Sequence, residues 1–291
     1  MGVGHGGFPG CNVGRRLDLG LACDLAALSA FSTLTAFATL TTPDIQTSAP
    51  PNKIASDSDL ASLREFAARE VDRVVDDLAI TSVIVRPNPV DGRPVGHPDH
   101  EPFWARCEER GVSVSLHEGC HTMLPAAGAD RFTSHFAMHA CCHPIEQMMA
   151  FVSLVESGTF ERHPDLRVGF MESGGGWVPY LLWRLDDLEY KHWRFQVPEV
   201  KRKPSEYFHR QCYVSVEACE PYLPRLVDEL GADRLLFATD FPHPDHTFGE
   251  EIADTSIAAA MAARDATAPD SSSGSSATSA SPFGCFTASF S

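Results

Sequence analysis

Leu235-Leu236-Phe237-Ala238-Thr239-Asp240-Phe241-Pro242-His243-Pro244 runs from an apolar segment into one aspartate, then two prolines and a histidine. A short apolar run bounded by turn residues reads as a buried strand. The prolines stop that strand and stiffen the loop after it. A carboxylate at the carboxyl end of a strand is where parallel α/β barrels place their chemistry. Asp240 is therefore the first candidate for a metal ligand or a proton carrier.

Upstream of this run the chain alternates between helical and strand-like patterns. Residues 57–79 carry Leu60, Leu63, Phe66, Ala67, Val71, Val74, Val75 and Leu78 at helical spacing with charges between them. The β-branched run Thr81 to Val85 follows and ends at Arg86-Pro87. Residues 100–110 read as a short helix with Phe103, Trp104 and Cys107 inward. Val112 to Leu116 reads as a strand ending at His117. Residues 135–157 are mostly helical, with Pro144 as a candidate break. Leu166 to Met171 is a strand ending at Glu172, followed by Gly174-Gly175-Gly176 and a helix from Trp177 to Leu188. Tyr213 to Val216 is a strand ending at Glu217. Residues 220–230 form a helix closed by Gly231.

Five strands separated by helices define a parallel sheet, closed as a barrel or open and doubly wound. In either case the strand carboxyl ends share one face. Arg86, His117, Glu172, Glu217 and Asp240 then converge there. Imidazole with carboxylates suits zinc, manganese or iron, with a position left open for water or substrate. Each residue also has a structural reading: a strand-end carboxylate can cap a helix or pair with a cation, and a strand-end histidine can be purely structural. His139 and His143 are four residues apart, so a continuous helix puts both rings on one face, with one of them a candidate pocket-lining group and a separate metal site the weaker reading. His243 follows Asp240 in the loop and is a candidate substrate contact.

Composition excludes other classes. The 291 residues hold 23 Lys and Arg against 39 Asp and Glu, a formal charge of −16. Nucleic acid needs clustered cations, and an anionic membrane repels this surface, so neither is an expected partner. The nine cysteines are scattered without a CxxC pair, which reads as free thiols in a cytoplasmic protein rather than a disulfide or zinc framework. Residues 17–42 follow Arg15-Arg16, but Asp18 and Asp24 interrupt them and the later part is Ala, Ser and Thr, which weakens an export-signal reading. No GxSxG elbow supports a serine nucleophile, and the glycine triplet lacks the GxGxxG spacing of a dinucleotide site. The chain divides into an irregular segment 1–52, a central domain 53–262 and a Ser/Ala-rich tail 263–291.

Four segments carry a family resemblance. They are His143-Pro-Ile-Glu-Gln-Met, the run from His163-Pro-Asp-Leu-Arg-Val to Leu185-Asp186, Arg202-Lys-Pro-Ser-Glu-Tyr-Phe, and Asp233-Arg-Leu-Leu-Phe-Ala-Thr-Asp-Phe-Pro-His-Pro. In this order they resemble the amidohydrolase-related family, in its branch of metal-dependent hydrolases and decarboxylases acting on 2-amino-3-carboxymuconate semialdehyde and its like. The resemblance runs from about residue 68 to 246. It implies a (β/α)8 barrel of metal-dependent hydrolase type with one divalent metal, zinc as first expectation and manganese as second. It also implies His117 as the fifth-strand ligand, Glu172 at the sixth-strand position, and Asp240 as the eighth-strand ligand and acid/base. His117 counts with Asp240 among the expected catalytic residues, and Arg86, His139, His143 and His243 are the candidate substrate-binding residues. The activity implied is hydrolysis or decarboxylation of a small carboxylated, perhaps aromatic, substrate, in a protein that can form a homodimer.

The chain departs from the family in one respect. The countable strands correspond to the fourth to eighth, and His5 is the one histidine in the first 52 residues, with no strand pattern around it. The barrel is therefore expected to be incomplete. A catalytically impaired fragment or remnant and a metal-independent lactonase are the alternative readings.

Overall fold

The computed structural model describes residues 57–90, 92–118, 126–217 and 220–237, with side chains described from Glu65 onward. Five strands form one sheet: β1 (Ser82–Val85), β2 (Ser113–Leu116), β3 (Val168–Phe170), β4 (Cys212–Val216) and β5 (Leu235–Phe237). Their order is sequential, each strand pairing in parallel with the next. A doubly wound sheet reverses its strand order at a switch point. No reversal occurs among these five, and the order is that of consecutive strands in a (β/α)8 barrel.

The helices are α1 (Asp57–Leu78), α2 (Glu101–Glu109), α3 (His135–Glu156), α4 (Thr159–Arg162), α5 (Trp177–Arg184), α6 (Lys191–Trp193), α7 (Pro204–Gln211) and α8 (Leu223–Leu230). A π-helical turn, Leu185–Tyr190, joins α5 to α6. Helix α1 buries Val71 and Val74, and α2 buries Phe103, Trp104 and Cys107, as their spacing predicts. The Trp104 indole also donates to the Val95 carbonyl at 3.0 Å, so this large ring enters the core without a stranded N–H.

Helix α3 differs from expectation in running unbroken through Pro144. A mid-helix proline costs about 3 kcal/mol or more. Beyond it α3 buries Ala150, Phe151, Leu154 and Val155, and each large apolar side chain returns roughly 1.5–3 kcal/mol. Burial therefore outweighs the break. Ser134 begins the helix by accepting the Ala137 N–H at 3.3 Å.

Between sheet and helices lies an aromatic core. Phe151 of α3 meets Phe160, Phe170 and Phe208 at ring separations of 5.8–5.9 Å, and Phe170 meets Trp177 at 5.7 Å. Three of these contacts are edge-on and that with Phe160 is tilted, and such geometry adds to plain burial. The core anchors β3 to α3, α5 and α7 and so fixes the height of the strand ends.

Cys107, Cys141 and Cys212 are free, matching the expectation of unpaired thiols, and burial holds the Cys107 and Cys212 thiols well above their ordinary pKa. Cys142 corrects that expectation, being disulfide-bonded. Among the described residues no helix is long and apolar enough to cross a membrane. Asp240, His243, the 1–52 segment and the 263–291 tail lie outside the described residues.

Candidate metal and substrate site

Parallel register places the strand ends side by side: Val85 opposite Leu116, Leu116 opposite Phe170, and Val216 opposite Phe237. The next residues along each chain, Arg86, His117 and Glu217, therefore emerge on one edge, with Glu172 two residues past β3. The structure brings three of the expected site residues into contact there. His117 Nε2 lies 2.9 Å from Glu172 Oε2. His143, from α3, places Nδ1 2.9 Å from the Glu172 carbonyl and 3.6 Å from its carboxylate.

The hydrogen bonds fix the chemistry of His117. Its Nδ1 is 2.8 Å from the Glu118 carbonyl, an acceptor only, so Nδ1 carries a proton. Nε2 then faces a carboxylate oxygen at 2.9 Å. Two lone-pair bearers at this distance need a proton or a cation between them. A histidine that donates one ring N–H to a carbonyl and offers the other nitrogen is the usual arrangement at a metal. The donor types fit zinc or manganese, and His117 and Glu172 supply two of them. Among the described residues no group of three or more His, Cys, Asp or Glu is set to hold a metal.

Glu172 is held in an unfavourable backbone conformation, φ 54°, which costs a non-glycine residue about 1–2 kcal/mol. Three bonds hold it there. Its N–H donates to Ser215 Oγ of β4 at 2.7 Å, its carbonyl accepts from His143, and Gln147 binds the carbonyl just before it, Met171 O, at 3.0 Å. Strain over-determined in this way concentrates at functional sites. Below Glu172, the Gly175 N–H donates to both carboxylate oxygens of Glu220, at 3.0 and 3.1 Å, tying the β3 loop to the β4 loop. Glu217, expected at the mouth, also gives its backbone N–H to Glu220 at 2.8 Å.

The His139 ring packs tilted against His143 at 4.8 Å between centroids, and His135 against His139 at 5.1 Å. The helical stripe expected of His139 and His143 is thus present and continues one turn in each direction, to His135 and Gln147. Burial, the largest cause, lowers the His143 pKa, with Glu172 opposing and His139 assisting.

Arg86 is placed differently from the simplest expectation. Its Nη2 bonds Glu118 Oε2 at 3.0 Å, while Asn88 Nδ2 donates to Glu118 Oε1 at 2.9 Å. The Glu118 side chain is fully buried, whereas the Arg86 side chain keeps 29% of its surface exposed. Glu146 of α3 approaches the same group and accepts the Ala127 N–H at 2.6 Å. Burial raises the Glu146 pKa; Ala127 opposes this, Glu118 adds to it, and Asn88 and Arg86 lower it. Sequence reading missed Glu118, Asn88, Glu146, Gln147 and Ser215. Gln147 was within reach, lying one helical turn beyond His143, and Glu118 directly follows His117. Ser215 and Asn88 carried no signal of their own.

A consecutively wound parallel α/β scaffold with a histidine–carboxylate cluster at its strand ends is the class defined so far. The chain belongs to the amidohydrolase family, whose profile matches residues 58–267. It is 29% identical over 200 residues to the gamma-resorcylate decarboxylase of Rhizobium sp. strain MTP-10005, covering 61% of this chain and 56% of that protein. It is 26% identical over 185 residues to the 2-amino-3-carboxymuconate-6-semialdehyde decarboxylase of Dictyostelium discoideum, covering 62% and 48%. Among solved structures it resembles the 5-carboxyvanillate decarboxylase of Sphingomonas paucimobilis, with 25% identity, a TM-score of 0.54, and 72% and 59% of the two chains covered. The chain spans about half the length of the curated relatives it matches.

Proposed function

We propose that this chain is a metal-dependent carboxy-lyase that removes CO2 from a small aromatic carboxylate. The observation that carries the reading is the His117–Glu172 contact at the strand ends, where an imidazole nitrogen and a carboxylate oxygen, both metal-donor types, lie 2.9 Å apart. The relatives support decarboxylation over hydrolysis, since those compared are decarboxylases of carboxylated aromatic or semialdehyde compounds. His117, Glu172 and Asp240 are the residues proposed to hold one divalent metal, zinc first and manganese second. When bound, such a metal draws in the substrate's carboxylate and spreads its negative charge.

The remaining roles fall to the chain's own groups. Arg86 is proposed to receive an anionic oxygen of the substrate, its planar fork oriented by Glu118 and Asn88. His139 and His143 are proposed to line the substrate side from α3, with His243 as a further proposed substrate contact. In the chemical step the bond between the ring carbon and the carboxyl carbon breaks. CO2 leaves, and the electron pair stays on the ring carbon. Asp240 delivers the proton that this carbon takes up.

The test uses the full chain loaded with zinc or manganese and 2,6-dihydroxybenzoate as probe. CO2 release that disappears on chelation and returns with metal is the expected result. Activity on a lactone that survives chelation would point to the metal-independent reading instead. Absence of turnover across a panel of phenolic carboxylates, with metal bound, would sink the proposal.

A further inference from the structure

Gln147 lies beside the site with no accessible surface. Its carboxamide nitrogen uses both hydrogens on two strand ends at once, donating to Leu116 O at 2.8 Å and to Met171 O at 3.0 Å. Leu116 directly precedes His117, and Met171 directly precedes Glu172. The last rung of the β2–β3 ladder, Met171 N–H to Leu116 O at 2.9 Å, lies at the same place. Past that rung the His117 N–H continues the β1 ladder at Val85 O, and the Glu172 N–H bonds Ser215 Oγ of β4. The two backbone N–H groups thus bond different strands, while Gln147 binds the carbonyl before each residue.

The rest of the amide argues against a simple packing role. Gln147 Oε1 is buried and meets no hydrogen-bond partner among the described residues. An apolar side chain of the same shape would avoid that cost. What it could not do is hold the two carbonyls. The placement also follows from helix geometry, because His139, His143 and Gln147 sit at successive turns on one stripe of α3. One face of this helix thus bonds the Glu172 carbonyl through His143 and the two preceding carbonyls through Gln147.

We infer that Gln147 is a positioning residue, whose carboxamide sets the separation of His117 and Glu172 through the carbonyls that precede them. The inference rests on the proposed reading of that pair as metal donors, and its test separates the two. Zinc alone is titrated into the metal-free full chain by calorimetry, and the His117 ring nitrogens are followed by NMR in the same metal-free protein. The variants are Gln147→Met, which keeps the volume without the donors, and Gln147→Asn, which keeps the amide but draws it back by one methylene. Val74→Ala, a core truncation on α1, is the control for general destabilisation.

Zinc affinity is expected to fall about 10–100-fold in both Gln147 variants, the usual effect of losing a group that orients a metal ligand. Their His117 ring signals shift as well, and Val74→Ala changes neither readout. Wild-type affinity with unmoved ring signals in a folded Gln147 variant overturns the inference. Equal changes in Val74→Ala overturn it too. If the wild-type chain takes up no zinc, the metal reading fails and the ring signals alone decide. A shift confined to the Gln147 variants upholds positioning, and its absence removes it.

Discussion

His117 Nε2 and Glu172 Oε2 stand 2.9 Å apart across the carboxyl ends of β2 and β3. With His117 Nδ1 already committed to the Glu118 carbonyl, this contact asks for a cation or a proton between the two groups. In the metal reading, purified protein carries about one divalent ion per chain, and either His117→Ala or Asp240→Asn lowers that content severalfold. Elemental analysis after dialysis measures it. Metal that stays substoichiometric and indifferent to both substitutions would leave the contact as a plain ion pair.

Much of the fold was legible because burial wrote it twice. The strands over Val83 to Val85, Val114 to Leu116 and Val168 to Phe170 are short apolar runs, and the helices between them show apolar spacing. Strand-end residues could then be placed on one edge without knowing any distance, which is how His117 and Glu172 were paired. The fine structure of that edge was not legible. Nothing local to Glu172 announces a positive φ, because the strain is held by Ser215, His143 and Gln147 from three other elements. Arg86 looked like a substrate anchor from its position alone; the buried Glu118 that orients it is 32 residues away. Pro144 misled in the other direction, since its local cost is visible in sequence while the packing that outweighs it is spread over the rest of α3.

Glu118 is fully buried, and the geometry of Arg86 and Asn88 depends on it. Truncation to alanine takes one acceptor from each donor, and losing one partner of a buried pair typically costs about 3–5 kcal/mol. Arg86 is partly exposed, so a loss of about 2–3 kcal/mol is expected, measured as a shift in the urea midpoint. Glu118→Gln retains an oxygen for Asn88 and is expected to lose less. A substrate carboxylate bound through Arg86 should show a raised KM in both variants. Unchanged stability in Glu118→Ala would mean that Arg86 is held by other means.

Glu146 gives a pH dependence of defined sign. Burial raises its folded pKa above the ordinary 4.5, so the native state binds the proton more tightly than the unfolded chain. Stability attributable to this group therefore falls as pH rises through the folded pKa, and it is recovered as pH drops toward 4.5. Glu101 acts in the opposite sense. Hydrogen bonding from Arg162 lowers its pKa, so its contribution is present above 4.5 and lost as pH falls through the folded value. Glu146→Gln removes a carboxylate that is unfavourable when ionised. Its Tm should exceed that of wild type between about pH 7 and 8, with the gap closing toward about pH 5. Thermal unfolding of the two proteins across that range tests this, and a gap that widens on acidification would reverse the assignment.

Ala79 and Glu172 share the same backbone anomaly, φ 54°, for different reasons. Ala79 follows the last residue of α1 and closes the helix by donating to Val75 O at 3.1 Å, a position that glycine fills without strain. Ala79→Gly should accordingly stabilise the protein by about 1 kcal/mol and leave metal binding unchanged. Glu172→Gly relieves the same strain and keeps the carbonyl that His143 binds, but it removes the carboxylate facing His117. The His117–Glu172 pair is partly exposed, and ion pairs of this kind contribute at most about 1 kcal/mol. Stability of Glu172→Gly should thus stay within about 1 kcal/mol of wild type, while zinc affinity collapses. Chemical denaturation paired with zinc titration on the two variants separates strain at a helix cap from strain at a site. A Glu172→Gly protein that lost several kcal/mol would show that Glu172 is held in place for the fold rather than for the chemistry.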